Sequence, residues 1–193
     1  MGRCFGDGDP LYEAYHDAEW GRPVRDEQGV FERLCLEAQQ SGLSWRLILA
    51  RRDGLRDAYA GFDPARLARF TGRDVERLLG DPRVIRNRRK IEAMVANARA
   101  TLALRDRGTP LHELVWAHRP EGGRRAARGW DDVPAVTDES TALARTLKRA
   151  GFAFVGPTTL YAAMQAIGVV NDHLAGCPVR AEVERERRTA LRS

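Results

Sequence analysis

Apolar residues recur at helical rather than strand spacing along most of this chain, and the pattern breaks at glycines and prolines. Val30, Phe31, Leu34, Cys35 and Ala38 fall on one face of a helix that should end near Gly42. The run RLILARRDGLRDAYAGF reads as a second helix, frayed by Gly54 and Gly61, and GRDVERLLG as a short one bounded by glycines. Asp81-Pro82 breaks the chain. From Arg86 a long helix carries Ile91, Met94, Val95, Ala98 and Leu102 at steps of three and four. PLHELVWAHR is another short helix, whereas RPEGGRRAARGWDDVP, rich in Gly, Pro and Arg, is a loop. ESTALARTLKRAG is helical up to Gly151, a plausible C′ glycine. PTTLYAAMQAIG starts a helix at Pro157, and VVNDHLAGCP continues in short helical turns. Alternation is scarce and no internal repeat occurs, so the prediction is an all-α chain.

Composition narrows this picture only a little. A chain of 193 residues can bury one real core, expected over 1–179, and the charged segment 180–193 should be mobile or a solvated helix. The net charge is +5 and nearly all the positive charge is arginine, with Lys90 and Lys148 the only lysines. That suits a polyanionic partner, and it equally suits a codon bias. Cys4, Cys35 and Cys177 are too few for a disulfide framework, no apolar signal core opens the chain, and no run reaches membrane-spanning length. The expectation is a cytoplasmic protein with no membrane partner.

Three groups of residues could carry chemistry. Cys4 and His16 near one end, with His173 and Cys177 near the other, are either unrelated residues or a closed tetrahedral zinc set that ties the chain ends together. His173 and Cys177 would share one face of a helix. Tyr12, Tyr15, Asp17, Glu19 and Trp20 cluster within one short segment, as amphipathic packing or as a pocket whose π faces suit a flat cation. Glu37 lies at the margin of its helix's apolar face, as a helix-end acid or as a half-buried acceptor for a ring. The stretch LLGDPRVIRNRRKIEAM makes two helices around a tight turn. Arg83, Arg86, Arg88, Arg89 and Lys90 there could hold a phosphate, or form an ordinary solvated face.

Taken together, DPLYEAYHDAEWG, LEAQQSGLSW, VIRNRRKIEAMVANARA, FAFVGPTTLYAAMQAIGVVNDH and HLAGC closely resemble the bacterial 3-methyladenine DNA glycosylase I family, from Cys4 to about Pro178. The resemblance implies a helix-hairpin-helix glycosylase fold of two helical lobes, with a structural zinc on Cys4, His16, His173 and Cys177. It implies a base pocket of Tyr12, Tyr15, Glu37 and Trp45, with Trp20 nearby and Glu37 as the catalytic residue that accepts hydrogen bonds from the base and balances its charge. Gly42 and Leu43 would enter the gap left by a flipped nucleotide, and the hairpin from Arg83 to Lys90 would anchor the DNA backbone. The implied activity is monofunctional hydrolysis of 3-methyladenine from double-stranded DNA by a monomer. The supporting aspartate of many superfamily relatives has no good candidate in Asp106, Asp131 or Asp132. Both lysines are expected to face the surface or phosphate. Two departures stand out: Phe5-Gly6 where a tryptophan is usual, and Arg83 where the hairpin turn usually has glycine. Two further readings stand beside this one: a glycosylase for N3-alkylguanine or bulkier adducts, its site enlarged by Phe5, and a non-catalytic, zinc-stabilised DNA-binding protein of the same fold.

Overall fold

A computed structural model describes residues 2–122 and 125–192. In chain order its helices are α1 (Pro10–Ala18), α2 (Glu27–Gln40), α3 (Trp45–Ala58), α4 (Pro64–Leu67), α5 (Gly72–Leu79), α6 (Arg88–Asp106), α7 (Leu111–Ala117), α8 (Asp138–Arg149), α9 (Pro157–Ile167) and α10 (Arg180–Ala190). Short 3-10 turns occupy Ala60–Phe62 and Trp130–Asp132. No strand occurs among the described residues, so the chain is all-helical.

Local sequence explains where the helices begin. The side chains of Asp9, Asp26, Ser44 and Asn87 accept from backbone N–H groups in the first turns of α1, α2, α3 and α6. Burial explains why they stay together. Val30, Phe31, Leu34, Cys35 and Ala38 of α2 are fully or almost fully buried, and α2 packs against α9, α6, α7 and α3. Ile91, Met94 and Ala98 of α6 meet this core, but Leu102 is only half-buried. The innermost face of α6 includes Asn97 instead. Its amide clamps Ala153, donating to the carbonyl at 3.2 Å and accepting from the N–H at 2.8 Å.

One expectation needs correction and one is sharpened. VVNDHLAGCP forms no helical turn running from His173 to Cys177; residues 171–174 are irregular. Asn171 organises them locally, its side chain accepting from the His173 N–H at 3.3 Å. Of the two alternatives for the charged segment from 180, the solvated helix is the one that forms, and it is docked. Val183 of α10 is fully buried, Arg22 pairs with Glu182 and Glu186, and Arg187 donates to the Gly168 and Val169 carbonyls. Composition hid this because one buried valine and a few backbone acceptors dock the helix, not an apolar stripe.

Helix α3 runs unbroken through Gly54, contrary to the expected fraying. The glycine serves a close approach: a Cβ there would lie 2.9 Å from the Cβ of Arg83. The turn between α5 and α6 therefore rests on α3, and Arg83 fits in the turn because Gly54 leaves it room.

Candidate functional site

The aromatic segment of α1 and the last turn of α2 face one another across a cavity of about 440 Å³. Phe5, Tyr12, Tyr15, Trp20, Glu37 and Trp45 all line it, with Gln40, Trp130, Ala162 and Gln165 completing the wall. Tyr15 and Trp45 hold ring centroids 5.3 Å apart. Phe5 meets Trp20 edge-on at 5.1 Å and Tyr12 at 5.8 Å. Sequence reading missed Gln40, Trp130, Ala162 and Gln165. For Gln165 no local signal existed, because its position depends on Asp172, which accepts from its amide at 2.9 Å.

Glu37 is more buried than its margin position suggested, at 6% exposed. No hydrogen bond or ion pair reaches its carboxyl among the described residues. Burial alone pushes it up to about 8, so the acid is mostly neutral at pH 7. The Tyr15 hydroxyl is likewise held well above the usual phenol range, by burial first and by Glu37 second. The site is thus an aromatic slot with one unsatisfied acid and no cationic partner for it among the described residues.

A second, larger cleft of about 910 Å³ lies along α10. Its lining includes Arg180 and Arg187, but these bind the backbone oxygens of Asn171, Gly168 and Val169. It gathers neither aromatic rings nor an unpaired acid, so size is a poor guide here.

Beside the aromatic slot, Cys4, His16 and Cys177 are buried with their ligand atoms all within 4.8 Å of one another, close enough to hold a metal ion. Asp17 accepts from His16 Nδ1 at 2.8 Å, while His16 Nε2 accepts from the Cys4 N–H at 3.2 Å and lies 3.5 Å from Cys177 Sγ. Asp17 is itself held low, at about 2, chiefly by its hydrogen bonds from Arg3. His173 lies outside that trio but its ring is 4.9 Å from that of His16. Asn171 engages His173 Nδ1 at 3.0 Å, leaving Nε2 buried with no partner. Burial holds this imidazole neutral, down at about 4. Two thiols, one oriented imidazole and one orphaned imidazole nitrogen fit a tetrahedral metal.

The turn between α5 and α6 divides the expected DNA contacts. Arg83 is engaged by Asp81 at 2.7 Å, and Arg88 by Glu76 at 2.6 Å and Glu92 at 3.7 Å. Arg86 and Arg89 are exposed and have no acidic partner among the described residues. Lys90 corrects its assignment as a DNA contact. It is buried, and its ammonium donates to the carbonyls of Gln39 at 2.8 Å and Ser41 at 2.6 Å. These are carbonyls at the end of α2, where a lysine satisfies groups the helix itself leaves open. Gly42 then takes φ +77 with nothing within 4 Å of where a Cβ would lie, so the backbone turn rather than crowding requires glycine. Leu43 beyond it is half-buried against the core.

A family model described as methyladenine glycosylase matches residues 5–181. The chain belongs to that family. It is 45% identical over 181 residues to DNA-3-methyladenine glycosylase 1 of Escherichia coli (strain K12), covering 92% of this chain and 96% of that one. Among solved structures, 3-methyladenine DNA glycosylase I superposes with a TM-score of 0.88 at 46% identity, covering 91% of this chain and 98% of that one. A variant of 3-methyladenine DNA glycosylase I in complex with 3-methyladenine superposes at 0.87 with 32% identity, covering 92% and 96%. The methyladenine glycosylase fold is thus matched over nearly the full length of both chains. No helix among the described residues is long and apolar enough to cross a membrane.

Proposed function

We propose that this protein hydrolyses the N-glycosidic bond of 3-methyladenine in alkylated double-stranded DNA, releasing the free base and leaving an abasic site. The observation that carries the reading is Glu37, a buried carboxyl without a partner at the wall of an aromatic cavity. The relatives' names, and the base bound to one of them, support the same substrate.

The chemistry follows from the base. Alkylation at N3 leaves adenine positively charged, so it departs as a neutral group without first being protonated. The protein then needs to extract the base, hold its charge and admit water as the nucleophile. Tyr12, Tyr15, Trp20 and Trp45 offer π faces to a cationic ring. Glu37 keeps its proton while the cavity is empty; a cation beside it favours the carboxylate, which then accepts hydrogen bonds from the ring edge. Unmodified adenine brings no charge and gains none of this, so selection arises in the pocket.

Neither lysine reaches the cavity. Lys90 is engaged by backbone carbonyls and Lys148 is exposed on α8, so neither lysine is placed to form a Schiff base, which favours a monofunctional enzyme. The α5–turn–α6 unit acts as a helix-hairpin-helix anchor, with Arg86 and Arg89 on the phosphates and Gly42–Leu43 at the gap left by the base. Cys4, His16 and Cys177, with His173 as the fourth ligand, would hold one zinc. Such a closed site supplies a structural tie between the chain ends. We read the working unit as a monomer of one domain acting in the cytoplasm.

Base release from methylated duplex DNA tests the proposal. Free 3-methyladenine with alkali-labile strands left behind supports it, and no released base from folded, metal-loaded protein overturns it.

A further inference from the structure

Trp130 stands outside every element that supplies the other aromatic rings of the cavity. It belongs to the loop between α7 and α8, within a 3-10 turn of sequence WDD, and is 45% exposed. Here it lines the cavity, with ring centroids 6.2 Å from both Phe5 and Trp20.

Its position is fixed from two sides. The indole N–H donates to the Cys4 carbonyl at 3.0 Å, which attaches the loop to the N-terminal segment. The Ala175 N–H donates to the Ala127 carbonyl at 2.7 Å, which attaches the same loop to the C-terminal segment. Asp132 accepts from the Arg128 N–H at 2.8 Å and tightens the turn between them. Residues 127–132 therefore form a strap tied to both terminal segments, and Trp130 is the ring they bring to the cavity.

We infer that Trp130 is a base-binding residue, a stacking wall for the flat cationic purine, and that the strap carrying it helps set which alkylated bases the cavity accepts. This rests on the base-excision reading above. Indole is the strongest of the aromatic faces for a cation, and a half-exposed ring gains most when a ligand covers it. Glu37 balances charge at the ring edge, whereas Trp130 acts on the face. Because its N–H is already engaged by Cys4, the indole contributes stacking rather than a hydrogen bond to the base.

Calorimetric binding of free 3-methyladenine to the full-length, metal-loaded protein tests this with two variants. Trp130→Leu keeps apolar bulk and loses the π face; Trp130→Phe keeps a π face and loses the N–H. The inference expects Trp130→Leu to weaken binding about tenfold, and Trp130→Phe to retain affinity within about threefold, with both melting close to wild type. Wild-type affinity in Trp130→Leu would overturn it. Equal losses in both variants, accompanied by lowered melting, would also overturn it and make the indole a brace on the Cys4 carbonyl. Absence of binding by the wild type would overturn the base-excision reading and this inference with it.

Discussion

Glu37→Gln should stabilise the empty protein, and by an amount that grows with pH. In the folded chain the carboxyl sits at about 8, against 4.5 for an ordinary glutamate. Between those values the folded chain holds a proton that the unfolded chain has released, so raising the pH favours unfolding. Below about 4.5 both states are protonated and the group costs nothing; above about 8 both are ionised and the full cost, about 5 kcal/mol, is present. At pH 5 the cost is about 1 kcal/mol and at pH 7 about 3 kcal/mol. Glutamine has nearly the same shape and no such proton. Any fixed effect of its amide shifts the whole curve without tilting it. Urea unfolding of both proteins at several pH values from 5 to 8 therefore reads the difference directly. The stability gap should widen by roughly 2 kcal/mol between pH 5 and pH 7 in favour of the variant. Parallel curves would refute the reasoning, because they would mean that the carboxyl is already ionised and has a partner in the empty cavity.

Three further outcomes follow from the same geometry. Arg86→Ala and Arg89→Ala should each lower the slope of log affinity for duplex DNA against log salt by about 1, while Arg88→Ala, already paired with Glu76 and Glu92, should change it less; equal slopes for all three would contradict the division. Lys90→Met should cost about 2 kcal/mol in urea unfolding, because two α2 carbonyls lose a charged donor; unchanged stability with weakened DNA binding would instead make Lys90 a phosphate contact. Metal analysis should find about one zinc per chain, and chelation or His173→Ala should lower the melting temperature; a metal-free protein with unchanged melting would refute the site.

Much of the fold was legible because periodicity and punctuation agreed. The apolar face of α2, the long α6 after Asp81-Pro82 and the Pro157 start of α9 all follow from local rules. What stayed hidden depended on distant partners. The depth of Glu37 depends on α9, which packs on α2, and on the α1 rings across the cavity, which no spacing within α2 reveals. Lys90 looked like a phosphate ligand among arginines, yet the end of α2, some fifty residues earlier (Gln39 and Ser41), claims it. His173 and Cys177 are four apart, but the irregular backbone around Asn171 brings the His173 ring beside that of His16 without a helix. Trp130 left one trace, a lone aromatic in an arginine- and glycine-rich loop, and only the Cys4 carbonyl gives it a place.

The central claim is that a buried, unpaired Glu37 recognises the charged base that this enzyme removes. The most direct test compares wild type and Glu37→Gln on methylated duplex DNA, measuring released 3-methyladenine by chromatography and DNA affinity by gel shift. The account predicts that the variant loses release by about a hundredfold while keeping its DNA affinity within a few-fold. Equal losses of release and of DNA affinity, or undiminished release by the variant, would contradict it.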